Sequence, residues 1–229
     1  MIARYVMMAA LVAFAACAGE QKGGVQQGAG ATVTDSSVAA PAGTPVVMFV
    51  GTSLTAGLGV EPDQAWPALI QQKIDSAGLH YRVINAGVSG ETSAGALRRI
   101  DWLLRDPVAV LVLETGANDG LRGQDPDSIR ATIQAIIDRV RAAQPAARIL
   151  LVGMNAMPNL GTGYVLRFQG IYPALAKANS LPLVPALLEG VGGIDSLNQP
   201  DGIHPTPAGH RRLAANVWPV LLPLLTPSS

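Results

Sequence analysis

The chain has 229 residues, 49% of them hydrophobic and 14% charged, so a single domain with a sizeable buried core is expected. Sixteen basic residues balance sixteen acidic ones, and without the clustered Lys and Arg that neutralise phosphates a nucleic-acid partner is not expected. One cysteine rules out an intramolecular disulfide, and with three histidines it forms no ligand cluster of the usual spacing, so an activity needing neither metal nor cofactor is expected.

In chain order, the first segment reads as an address. Arg4 supplies a small positive charge, and residues 5–16 form an apolar run of twelve. That is too short to span a bilayer as a helix but suits a signal peptide. The run ends Phe14-Ala15-Ala16-Cys17, followed by Ala18-Gly19. Small residues before the only cysteine resemble the bacterial lipobox, whose cysteine is lipidated and becomes the mature N-terminus. The expectation is a signal peptide over residues 1–17 with Cys17 as the lipidation site. This implies a lipid-anchored protein of the bacterial cell envelope, facing the periplasm or the exterior. Plain secretion with cleavage near Ala16 or Ala18 is the alternative. Residues 18–44 are rich in Gly, Ala, Gln, Ser and Thr and nearly lack large apolar side chains. Such a stretch buries too little area to offset its ordering entropy, so it reads as a flexible linker. The folded domain is expected over residues 45–225.

Residues 46–50 are a continuous apolar, β-branched run, as in a strand covered on both faces. Residues 62–76 carry Trp66, Leu69, Ile70 and Ile74 along one side of a helix. A short strand follows over 81–84, then a helix over 92–104 with Leu97, Ile100, Leu103 and Leu104 on one face. Residues 108–113 make a third, buried strand, and 127–143 a helix with Ile129, Ile133, Ile136, Ile137 and Val140 inward. A fourth strand covers 148–152, and an Asn-, Pro- and Gly-rich loop leads to a helix over 169–178. A short fifth strand at 183–184 and a closing helix over 207–222 complete the pattern. Alternating strands and helices imply a five-stranded parallel sheet between two helical layers, a three-layer α/β/α sandwich.

Open sheets of this kind bind ligands beyond the carboxyl ends of their strands, near the topological switch point. Ser53 follows the first strand, Gly90 the second, Asn118 the third, and Asp201 with His204 the fifth, so all fall on one rim. Asp201-Gly202-Ile203-His204-Pro205 can present a carboxylate beside an imidazole on one short turn. A serine, a base to activate it and an acid to orient the base are the parts of nucleophilic acyl transfer. Taken singly these residues read differently. Ser53 is then a helix cap or turn residue, Asp201 with His204 a capped turn, and Asn118 a turn residue. Asp119 reads as structural, His80 and His210 as exposed or capping, and Trp66 and Trp218 as core. The glycines from Gly51 to Gly59 lack the lysine that a P-loop requires.

Four ordered blocks carry a resemblance. They are Gly51-Thr52-Ser53-Leu54-Thr55-Ala56-Gly57, Asn85-Ala86-Gly87-Val88-Ser89-Gly90-Glu91-Thr92-Ser93, Gly116-Ala117-Asn118-Asp119-Gly120-Leu121-Arg122-Gly123, and Asp201-Gly202-Ile203-His204-Pro205. Over residues 46–222 the chain resembles the SGNH, or GDSL-type, serine hydrolases, whose fold is flavodoxin-like. Ile171-Tyr172-Pro173-Ala174-Leu175-Ala176 is similar to the bacterial branch of thioesterases, lysophospholipases and arylesterases. The resemblance implies a carboxylester hydrolase with Ser53 as nucleophile, His204 as base and Asp201 orienting it. It implies an oxyanion hole from the Ser53 and Gly90 amides and the Asn118 side chain, and an acyl-ester substrate. Thr52 stands where the family usually has aspartate, so activity is expected with a different local support for the serine turn. The loop Asn155-Ala156-Met157-Pro158-Asn159-Leu160 lacks the arginine expected on the thioesterase side, which points towards simple or aryl esters. A carbohydrate O-deacetylase of the same fold and a catalytically silent ligand-binding lipoprotein are the alternatives.

Overall fold

The computed structural model describes residues 43–155 and 158–226. The segment expected as signal peptide, Cys17 and the expected linker up to residue 42 lie outside the described residues, as do Ala156 and Met157. The apolar run at the domain's start forms β1 (Val46–Gly51), buried at every position. A four-residue helix, α1 (Ser53–Ala56), follows at once, and α2 (Trp66–Ser76) leads to β2 (Arg82–Gly87). Then come α3 (Ser93–Leu103), β3 (Val110–Glu114), α4 (Ala117–Leu121), α5 (Pro126–Ala143) and β4 (Arg148–Val152). The chain closes with α6 (Thr162–Gln169), α7 (Ile171–Asn179), β5 (Leu183–Val184) and α8 (Pro207–Leu225).

The five strands pair in parallel in the order β2-β1-β3-β4-β5. β1 and β3 are therefore neighbours at the point where the order reverses, as in flavodoxin-like sheets. Helix α2 packs on α8, while α5 packs on both α3 and α7. These two groups form the helical layers, which explains why β1 and β3 read as unbroken apolar runs rather than alternating ones. Ile133, Ile136, Ile137 and Val140 of α5 and Trp66, Ile70 and Ile74 of α2 are fully buried against the sheet.

Several boundaries differ from the sequence reading. β2 runs on to Gly87 because Asn85, Ala86 and Gly87 pair with Phe49, Val50 and Gly51 of β1. Nothing in an Asn-Ala-Gly run signals a strand, so the neighbour's ladder decides it. The helix expected over 169–178 is the second of two, since α6 occupies part of the preceding loop and meets α7 at Gly170. An edge contact of Phe168 with Tyr172 joins the two helices, and Tyr164 stacks on Phe168 within α6. α8 continues to Leu225 despite Pro219 and Pro223, carried by the buried Leu221 and Leu225. The short helices α1 and α4 have no counterpart in the expected pattern.

Candidate active site

The serine turn is built around a buried acid. Ser53 is the first residue of α1, and Thr52 is its cap, accepting the Leu54 amide on its hydroxyl. Thr52 in turn is held by Glu114, the last residue of β3. The Thr52 amide donates to Glu114 Oε2 at 2.8 Å, and the Thr52 hydroxyl lies 3.0 Å from both carboxyl oxygens. The Thr55 hydroxyl donates to the same Oε2 at 2.8 Å. Burial pushes the Glu114 carboxyl up to about 7, against the downward pull of the Thr52 amide and the two hydroxyls. Thus the position where the family usually has aspartate supports the serine turn through a hydroxyl–carboxyl contact.

The histidine loop closes on Ser53 from the other side. Asp201 Oδ1 accepts the amides of Ile203 at 2.9 Å and His204 at 3.0 Å, which turns the chain tightly. The second oxygen lies 2.6 Å from His204 Nδ1. His204 Nε2 lies 2.9 Å from Ser53 Oγ. With a proton on Nδ1 facing the carboxylate, Nε2 presents a lone pair to the serine hydroxyl, an assignment that follows from these partners. The His204 amide and ring and the Ile203 amide hold the Asp201 carboxyl down to about 2, so it stays ionised at ordinary pH. Gln199 ties this loop to the chain just after the first block, its amide nitrogen donating to the carbonyls of Leu58 at 2.7 Å and Pro205 at 3.0 Å.

The second and third blocks are strapped together beside Ser53. The Asn118 side-chain amide donates to the Glu91 carbonyl at 3.0 Å, and Arg122 donates to the Gly90 carbonyl at 3.1 Å. Asp119 is buried and accepts both the Ser93 amide at 2.8 Å and the Ser93 hydroxyl at 2.6 Å. Glu91 is held by a bidentate pair with Arg99, both contacts at 2.7 Å. Gly90 has φ +77° with open space where a Cβ would stand. Its glycine is therefore favoured by the left-handed backbone.

The structure brings Ser53, Gly90, Asn118 and His204 into the wall of one cleft of about 230 Å³. Asp201 stands behind His204, out of the cleft lining. Leu54, Leu58, Leu121, Met154, Leu188 and Ile203 supply most of the remaining wall. Leu58, Leu121 and Ile203 are exposed at the mouth. Among the described residues no group of three or more His, Cys, Asp or Glu side chains is placed to hold a metal ion. His80 is exposed, as expected, whereas His210 is buried. Its Nδ1 accepts the Trp66 amide, the first N–H of α2, so it caps that helix from α8. Glu114 is the site's unanticipated member; its only trace in the sequence is an acid closing an apolar run beside Thr115-Gly116.

Residues 49–212 match the GDSL-like lipase/acylhydrolase family. The chain belongs to that family. It is 43% identical over 185 residues to "Esterase TesA" of Pseudomonas aeruginosa, a match covering 80% of this chain and 91% of that one. It is 40% identical over 166 residues to "Thioesterase 1/protease 1/lysophospholipase L1" of Escherichia coli, covering 72% and 77% respectively. A crystal structure of the psychrotrophic esterase EstA from Pseudoalteromonas, inhibited by monoethylphosphonate, superimposes with a TM-score of 0.74 at 29% identity. That match covers 79% of this chain and 98% of the other. The protein is thus a carboxylic ester hydrolase of the SGNH/GDSL type, with the three-layer sandwich expected from its alternating strands and helices.

Proposed function

We propose that this enzyme hydrolyses esters of apolar acyl or aryl groups through an acyl-enzyme on Ser53, with His204 and Asp201 completing a triad. The observation that carries the reading is the continuous contact path from Ser53 Oγ to His204 Nε2, 2.9 Å, and from His204 Nδ1 to Asp201, 2.6 Å. Ser53 Oγ attacks the acyl carbonyl while His204 takes its proton and then returns it to the leaving alcohol. Asp201, held ionised by its own turn, fixes the ring and stabilises the imidazolium. The Ser53 and Gly90 amides and the Asn118 side chain stabilise the oxyanion, a charge that develops only as the carbonyl is attacked. Water then repeats the cycle on the acyl-enzyme with His204 as base.

The apolar cleft walls support an acyl or aryl group over an acetylated sugar, whose hydroxyls would need polar partners there. Thioesters and lysophospholipids enter the same reading, supported by the relative named for both activities. The first residues support a position at the bacterial envelope through a lipid on Cys17. Fractionation tests that part: Cys17→Ser is expected to move the protein from the membrane to the soluble fraction with unchanged specific activity. Wild-type chain found wholly soluble overturns it.

A series of p-nitrophenyl esters of increasing chain length, assayed with wild type and Ser53→Ala, tests the catalytic reading. Ser53→Ala is expected to lower kcat at least about 10³-fold with the fold intact. A fluorophosphonate probe is expected to label Ser53. Labelling of another residue, or a variant retaining more than about a tenth of kcat, removes Ser53 as nucleophile.

A further inference from the structure

Glu114 lies directly beneath the serine turn, has no accessible surface, and touches neither the cleft nor the His204–Asp201 pair. Its hydrogen-bonding partners belong to Thr52 and Thr55, which flank Ser53 in the chain. We infer that Glu114 is a positioning residue for the nucleophile, fixing the turn that aims both the Ser53 hydroxyl and the Ser53 amide. The inference rests on the proposed role of Ser53.

A helix as short as α1 does not hold its own shape, because fixing one turn costs more than its few hydrogen bonds return. Its leading amides also lack partners within the helix. Glu114 supplies outside anchorage on both sides of Ser53, from a strand that is itself rigidly paired with β1 and β4. If the position served packing alone, an apolar residue would serve better, as Val110 through Leu113 do in the same strand, because a buried carboxyl is costly unless it is hydrogen-bonded. The backbone makes room for the contact as well. A Cβ on Gly51 would stand 2.1 Å from Thr55 Oγ1 and 2.7 Å from Glu114 Oε2.

Threonine at position 52 suits this arrangement in both protonation states. The ionised carboxyl accepts the Thr52 hydroxyl proton, and the protonated form donates to the same oxygen across 3.0 Å. Burial brings both forms into play by raising the carboxyl to about 7. A second acid at position 52 would instead set two carboxyls against each other in a buried site.

The test uses the full chain and four proteins: wild type, Glu114→Leu, Glu114→Gln and Thr55→Val. Each is assayed for fluorophosphonate labelling rate, kcat and KM on a p-nitrophenyl ester, and thermal unfolding, at a temperature where it is folded. Glu114→Leu is expected to lower kcat and the labelling rate by about 10²-fold with KM unchanged, the scale of a misplacement of about 1 Å. Thr55→Val removes one contact with little change of shape and is expected to cost about fivefold to tenfold in kcat. Glu114→Gln keeps an acceptor for the Thr52 amide and gains a donor towards the Thr52 oxygen, so it is expected to restore most of the rate lost in Glu114→Leu. A merely space-filling role would lower the unfolding temperature without this split or this rescue. Wild-type rates in folded Glu114→Leu, or in Thr55→Val where Glu114→Leu does not fold, overturn the inference. So does a Glu114→Gln rate as low as that of Glu114→Leu. Wild-type labelling away from Ser53 overturns the nucleophile reading instead, so the two failures are distinguishable.

Discussion

Asn118 occupies the second position of α4, and one hydrogen of its side-chain amide is already committed to the Glu91 carbonyl at 3.0 Å. In the proposed mechanism the other hydrogen serves the oxyanion, and the Glu91 contact holds the amide in a single orientation. A donor fixed in this way pays no reorganisation cost as charge develops on the carbonyl, so its effect belongs to the transition state. Asn118→Ala is therefore expected to lower kcat by roughly 10²-fold to 10³-fold while KM changes far less. Steady-state kinetics on a p-nitrophenyl ester check this, and a rise in KM alone would make Asn118 a substrate contact rather than an oxyanion donor. The neighbouring Asp119 faces away from the cleft and is spent on Ser93, which joins α4 to the start of α3. Adjacent residues of one block are thus turned in different directions, Asn118 to the cleft and Asp119 to the scaffold.

The strands and long helices were legible because their signals are strong and local. β1 and β3 are continuous apolar runs, and α5 repeats its isoleucines at helical spacing until the last turn. The rim residues Ser53, Gly90, Asn118, Asp201 and His204 were legible because each follows a strand, and parallel strands deliver their carboxyl ends to one side. What escaped was set by partners distant in sequence. The last three residues of β2 are strand only because β1 runs beside them. α1 and α4 are too short for periodicity to register, and Glu114 meets Thr52 across 62 positions of chain. His210 is separated from Trp66 by 144 positions, so nothing near it in sequence distinguishes a buried cap from a surface histidine. The support of the serine turn is thus a tertiary property, whereas the position of the serine follows from strand and loop order.

Two buried ionisable side chains give the folded protein opposing responses to pH. Glu114, which faces the Thr52 and Thr55 hydroxyls, is raised to about 7 by burial. An unfolded glutamate titrates near 4.3. The folded state therefore binds the extra proton between those values, and the stability this contributes is lost as pH rises through about 7. His210 is lowered to about 4 by burial first and by the charge of His204 second. An unfolded histidine titrates near 6.5, so the His210 contribution is present above that value and is lost as pH falls through about 4. Between about pH 4.5 and 6.5 the two slopes oppose each other, each limited to about 1.4 kcal/mol per pH unit. Urea unfolding of wild type, Glu114→Gln and His210→Asn across pH 4 to 8 separates them. The stability of wild type relative to Glu114→Gln is expected to fall as pH rises, and relative to His210→Asn to fall as pH drops. Wild type should then show a flatter profile in the shared window than either variant. Wild-type and variant curves that stay parallel throughout would mean that neither group carries a shifted proton in the folded state.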